Sequence, residues 1–295
     1  MREKIFWSET EADGLVQRGS FMRWRNRMFW TILLGVLVTG GLVVVVGGLQ
    51  RMIVFPATRE MVWNPGDAGW DYTNVTVSVD GYTTHGWYIT VPESRGTVLY
   101  SHGNGGNISD RMEGIEVWCD LGFDVLIYDY GGYGNSTGKA SEQRCYKDVR
   151  AMWRWLIEEQ GIIPKHIVLF GRSLGGAVAA DLAAEVTPGA VILESTFTSA
   201  VALGKEAFPF LPVNVMLRHR FETKDKIGRI SAPLLVVHSP GDDIVPYHHG
   251  EALFKMAPEP KTFLEISGSH NDGYRESGER YLRGVREFVG PLFPG

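Results

Sequence analysis

The chain has 295 residues, of which 44% are hydrophobic and 21% charged, so it is long enough and apolar enough to bury a large core. A formal charge of -5, with no basic cluster beyond a few arginines near the N-terminus, argues against a nucleic-acid-binding surface. The two cysteines, Cys119 and Cys145, lie in no metal-ligand spacing; they fall on separate predicted helices and read as free thiols.

Taken in chain order, the first element is an apolar run from Met28 to Gln50 with no charged residue between Arg27 and Arg51. As a helix it would extend for about 35 Å, enough for the hydrocarbon core of a bilayer. The segment ahead of it is too long for the n-region of a signal peptide, and no A-x-A site follows, so the run predicts an uncleaved anchor. Arg18, Arg23, Arg25 and Arg27 precede the run closely, against Arg51 and Arg59 after it. The positive-inside rule then leaves residues 1–27 as a cytoplasmic tail and the rest of the chain extracytoplasmic, with Trp24, Phe29 and Trp30 at the near interface.

Residues 51–71, with Pro56 and Pro65, read as a linker, and 72–295 as a soluble domain. Residues 72–90 alternate apolar and polar on both sides of Asp80-Gly81, which predicts a β-hairpin. Six short runs follow: 96–101, 124–129, 166–170, 190–195, 233–239 and 261–266. They are apolar without strict alternation, as strands covered on both faces of a parallel sheet are. Helical spacing at 108–121, 142–160 and 174–185 separates several of them, so the expected fold class is α/β, a mostly parallel sheet with helices on both faces.

Chemistry concentrates in the loops after these strands. "FGRSLGGA", residues 170–177, sets Ser173 between a strand and a helix in the pattern G-x-S-x-G, the setting of a nucleophile elbow. A serine hydroxyl needs a base within reach and a carboxylate to orient that base. In the chain order that follows the elbow, "HSPGDDIVP" supplies Asp242 and Asp243, and "SGSHNDG" supplies His270. Acyl transfer also needs donors for the developing oxyanion. "YSHGNGGN", residues 100–107, is a glycine loop whose amides can turn toward the serine, so Asn104 and Leu174 are the expected donors. His248 and His249 are adjacent and lack an i, i+4 partner, so neither is read as a metal ligand, and no cofactor is expected. A Rossmann reading of "YDYGGYGNSTG" fails, because Thr137 stands where the third glycine belongs.

"HGNGGN", "YDYGGYGNSTG", "GRSLGGAVA", "ESTFTS", "GDDIVP" and "GSHND" occur in the order that resembles membrane-anchored α/β-hydrolases, the branch of bacterial membrane-associated hydrolases and eukaryotic protein depalmitoylases. The resemblance covers about residues 50–292. It implies that Ser173 carries the acyl group, that Asp242 rather than Asp243 orients His270, and that the amides of Asn104 and Leu174 bind the oxyanion. It also implies a cap at about 200–230, where Phe208, Phe210, Leu211, Val213, Met216 and Leu217 either line an acyl pocket or pack onto the core. Gly131 departs from the family's "DYRGYG", which places arginine there.

The expected activity is hydrolysis of carboxylic esters or thioesters through an acyl-enzyme, on an acyl substrate that is small or lipid-like. The alternatives are a peptidase or amidase on the same fold and a non-catalytic binding protein. The sequence leaves oligomeric state, acyl-chain length and leaving group open.

Overall fold

The computed structural model describes the backbone of residues 9–294 and the side chains of residues 24–41 and 50–294. The chain divides into two units, residues 1–49 and 50–295. Helix α1 runs Glu9–Val54. Its residues Phe29, Trp30, Ile32, Leu34, Val36, Leu37 and Val38 are all exposed. Among the described residues no helix is long and apolar enough to cross a membrane. The run 28–50 expected to form an anchor lies partly outside them, since the side chains of 42–49 are not described, and most of the 1–27 tail lies outside as well.

The second unit is built on eight strands: β1 (Tyr72–Val79), β2 (Tyr82–Ile89), β3 (Thr97–Ser101), β4 (Asp124–Tyr128), β5 (Ile167–Arg172), β6 (Ala190–Glu194), β7 (Leu234–His238) and β8 (Lys261–Glu265). They form one sheet in the order β1-β2-β4-β3-β5-β6-β7-β8. The β1–β2 and β2–β4 pairs are antiparallel, and every other pair is parallel. The first hairpin closes through Asp80 and Gly81, both at positive φ (52° and 77°), as a two-residue turn between right-twisted strands requires.

Helices follow in the order α2 (Met112–Asp120), α3 (Glu142–Arg154), α4 (Leu174–Ala183), α5 (Ala200–Ala207), α6 (Val213–Met216), α7 (Lys224–Ile227), α8 (His248–Met256), α9 (Gly273–Ser277) and α10 (Glu279–Val289). The expected helix at 142–160 is α3 continued by a π-turn over Trp155–Glu159. Cys119 on α2 and Cys145 on α3 are free thiols, and burial pushes the Cys119 thiol up to about 12.

The unbroken apolar runs have a direct cause. Successive side chains of a strand leave opposite faces, and both faces here are covered. Leu99, Leu126, Leu169, Val191, Leu193, Leu234 and Val236 enter one core. Their neighbours Val98, Tyr100, Val125, Ile127, Val168, Phe170, Ile192, Leu235 and Val237 enter the other. Each such burial is worth about 1.5–3 kcal/mol. The two edge strands depart from the pattern: every residue of β8 and most of β1 are half-buried or exposed.

The sheet order sets where a site can form. From β3 the chain moves to β4 on one side, then crosses to β5 on the other side of β3. The loops leaving β3 and β5 therefore diverge, opening the crevice in which doubly wound sheets place their ligands.

Of residues 51–71, expected as a linker, 51–54 end α1 and residues 56–60 are bound to the loop after β3. Thr58 N–H donates to Gly106 O and Gly106 N–H to Pro56 O, each at 3.2 Å. The Asn107 side chain donates to Thr58 Oγ1 (2.9 Å) and Glu60 O (2.6 Å). In the cap, Phe208 and Phe210 point into solvent, Phe210 at 97% exposure, whereas Val213 and Met216 are buried. The core-packing alternative therefore describes Val213 and Met216, and Phe210 lines no pocket.

Candidate active site

Ser173 stands between the end of β5 and the start of α4 with φ 54° and ψ -119°, a backbone state that costs a non-glycine residue about 1–3 kcal/mol. Close packing holds it there. Ser173 N–H donates to Glu194 O (2.9 Å), and the Thr196 hydroxyl donates to Ser173 O (2.7 Å). Gly175 is the tightest point of the turn, because a Cβ there would run into the Ser101 and His102 carbonyl oxygens of the β3 backbone. Gly175→Ala should therefore cost more than the usual 1–3 kcal/mol of an overpacked core position. Urea unfolding of the variant checks this, and an unchanged midpoint would mean that the two segments can part.

The structure brings the three predicted side chains together from separate loops. His270 Nε2 lies 3.0 Å from Ser173 Oγ. His270 Nδ1 lies 2.9 and 2.7 Å from the two Asp242 oxygens. Burial by itself would raise the Asp242 carboxyl, but His270 and the amides of Val245 and Ile244 outweigh it and hold its pKa below the ordinary value. Asp243 faces elsewhere: its Oδ1 accepts the backbone N–H of His270 at 3.0 Å.

The loop after β3 runs beside the nucleophile, and a Cβ on Gly103 would sit 3.7 Å from Ser173 Cβ. The loop is pinned on several sides. Tyr130 OH donates to His102 O (2.8 Å), and Tyr133 OH donates to Asn104 O (2.6 Å). The Asn104 side-chain amide donates to Val54 O (3.3 Å), and Arg111 donates to Gly105 O. Leu174 opens α4, so its N–H is one of the four that a helix start leaves without an intrahelical acceptor. Leu174 directly follows Ser173, and Asn104 directly follows Gly103 in the loop beside it.

Beneath this loop lies a pair the sequence did not reveal. His102 and Asp129 are both fully buried, with His102 Nε2 3.7 Å from Asp129 Oδ1. His102 Nδ1 donates to Gly103 O (2.7 Å), and burial drives its pKa down to about 3. Asp129 Oδ1 accepts the Ile108 N–H (3.0 Å), and burial raises its pKa to about 7. A carboxyl that titrates higher when folded holds its proton longer in the native state. Its contribution is therefore fully present below the ordinary value of 3.8 and is lost as pH rises to about 7. An Asn keeps the Oδ1 acceptor for Ile108 but does not titrate, so Asp129→Asn should be relatively more stable at pH 8 than at pH 4. Denaturant midpoints at the two pH values measure it, and a variant that loses stability equally at both would refute it.

Gly131, where the family pattern has arginine, lies against another arginine. A Cβ at 131 would come within 2.8–2.9 Å of Arg144 side-chain atoms. From α3, Arg144 Nε pairs with Asp148 Oδ1 (2.6 Å), and Asp148 Oδ2 accepts the Gly131 N–H (2.8 Å). The guanidinium that this chain brings to the loop therefore comes from position 144.

Among the described residues, one cluster has the spacing of a metal site. Ligand atoms of Glu206, His248 and His249 lie within 4.8 Å of one another, the cap residue Glu206 being the partner that spacing alone did not show. His249 Nδ1 accepts the Thr198 N–H at 3.2 Å, which leaves the ring proton on Nε2, the atom that would have to bind the ion. The donor set is poorly suited to a metal, and the Glu206 carboxylate lies 3.4 Å from that nitrogen.

Residues 92–221 match the family described as serine aminopeptidase, S33. Over 200 residues the chain is 35% identical to alpha/beta hydrolase domain-containing protein 17B of Xenopus laevis, spanning 67% of each chain. The chain belongs to the α/β-hydrolase family. This hydrolase is also 34% identical over 271 residues to the uncharacterized protein Rv2307c of Mycobacterium tuberculosis, covering 90% of this chain and 96% of that one. Its fold is similar to that of the Pyrococcus furiosus esterase Pf2001, with a TM-score of 0.69 at 20% identity over 80% of this chain and 97% of that one.

Proposed function

We propose that this α/β-hydrolase is a membrane-anchored serine hydrolase that cleaves carboxylic esters or thioesters. The supporting observation is the continuous chain from Asp242 through His270 to Ser173, with hydrogen-bonding distances of 2.7 and 3.0 Å at its two links. Ser173 Oγ attacks the acyl carbonyl while His270 Nε2 takes its proton, and Asp242 steadies the imidazolium that forms. The Asn104 and Leu174 amides receive the carbonyl oxygen as it becomes negative. The acyl-enzyme is then hydrolysed by water that His270 deprotonates, and Ser173 regains its proton.

An amidase or peptidase reading draws support from the serine aminopeptidase description matched by residues 92–221. Matched ester, thioester and amide substrates of graded acyl length, given to the full chain in detergent, separate the two. Ester or thioester turnover far above amide turnover is expected, and preference for the amide would reverse the assignment.

Anchoring rests on the apolar run 28–50 and on the exposed apolar residues between Met28 and Val38. With the positive-inside bias it puts the N-terminus in the cytoplasm and the hydrolase domain outside. A reporter fused at Gly295 should be active only outside the cytoplasm; activity inside would overturn the topology.

A further inference from the structure

Arg172 directly precedes the nucleophile, yet its side chain leaves Ser173 and reaches the loop that carries His270. The side chain is 16% exposed, and its Nε lies 3.2 Å from Glu194 Oε1. The other Glu194 oxygen accepts the Tyr281 hydroxyl at 2.7 Å. Arg172 Nη2 donates to two backbone carbonyls, His270 O at 2.8 Å and Asn271 O at 2.7 Å. The guanidinium also lies over the Tyr274 ring, 5.0 Å from its centre. The residues after β8 up to α9 have no regular ladder, so side chains must fix their backbone. Asp243 takes the His270 N–H, and Arg172 takes the His270 carbonyl on the other side.

We propose that Arg172 is a positioning residue for the base, fixing the His270 backbone relative to the nucleophile carried on the next residue of the chain. The proposal rests on the serine-hydrolase reading. The geometry explains the residue type. A planar guanidinium can face Glu194 with one nitrogen and the two carbonyls with another, whereas the lysine ammonium is a single point on a flexible stem. Glu194 keeps the cation in place, and Tyr281 keeps Glu194 in place. Because reacting groups displaced by about 1 Å can lose on the order of 10²-fold in rate, the expected defect is in turnover, with substrate binding little changed.

The test uses the full chain in detergent with a short-chain ester and a serine-directed phosphonate. Arg172→Met should lower kcat and the labelling rate together by about 10- to 100-fold, with KM within about twofold. Arg172→Lys should recover part of the loss, and Glu194→Gln should keep most of the activity because the carbonyl contacts survive. Arg172→Met leaves Glu194 buried and unpaired, so the double variant Arg172→Met with Glu194→Gln, which removes that charge, should regain stability while keeping the kcat loss. In a His270→Ala background, Arg172→Met should have almost no further effect, since a residue that acts through the imidazole has nothing left to position. Wild-type kcat in Arg172→Met would overturn the proposal. So would an equal loss with and without His270, or recovery of kcat in the double variant. Normal turnover in Ser173→Ala would instead remove the mechanism beneath it, whatever Arg172 does.

Discussion

Replacing Ser173 by Ala should reduce ester turnover by about 10⁵- to 10⁶-fold, the scale seen when a triad serine is removed from a serine protease. The covalent step needs an oxygen at the tip of a strained turn, and no neighbour can substitute for it. Ser195 shares a positive φ of 47° and Ser101 lies nearby in β3, but both are buried, and the Ser101 hydroxyl is engaged with Tyr128 OH at 2.7 Å. Phosphonate should therefore label Ser173 and no other serine, as mass spectrometry of the labelled peptide would show. Turnover surviving in Ser173→Ala, or label on another serine, would end the acyl-enzyme mechanism. The variant should fold normally, since Ser173 is held by its backbone N–H and C=O.

The second large effect separates two adjacent carboxylates. Asp242→Asn should lower kcat on the order of 10⁴-fold, because an amide beside Nδ1 favours the wrong tautomer and leaves the imidazolium unsupported. Asp243→Asn should keep most of the activity, since the amide oxygen can still accept the His270 N–H. Asp243→Ala removes that acceptor and should fall between them. Steady-state rates of the three folded variants decide the matter: the reverse ranking of the two asparagine variants would move the orienting role to Asp243.

The strands were legible because burial on both sheet faces leaves a mark that single residues carry: Val98, Leu99 and Tyr100 must all be apolar when each faces a core. The elbow was legible for a related reason, since Gly171 and Gly175 stand where backbone approaches too closely for a side chain. Arg172 was not. Its partners are carbonyl oxygens nearly a hundred residues away, and a carbonyl leaves no trace in residue type. The same holds within residues 51–71, which read as a linker because they lack periodicity, while backbone bonds to Gly106 and the Asn107 amide fix residues 56–60. The signal for Arg172 was its place in "GRSLGG", a long charged side chain in a turn otherwise without charge. His102 and Asp129 were hidden by burial in a loop whose glycines drew attention first.

The hydrogen bond from the Asn104 side chain to Val54 O joins the end of α1 to the loop beside Ser173, and the Pro56 carbonyl holds Gly106 two residues farther along that loop. The segment by which the chain enters its hydrolase body is thus also a strut of the crevice. This fixes what cleavage of the chain would do. A cut ahead of Gln50 would spare both contacts, together with the 2.8 Å bond from Arg218 N–H to Gln50 Oε1, and should leave activity intact. A cut between Val54 and Thr58 would separate Val54 from the body and loosen the loop in one event, so cleavage at that point should lower activity.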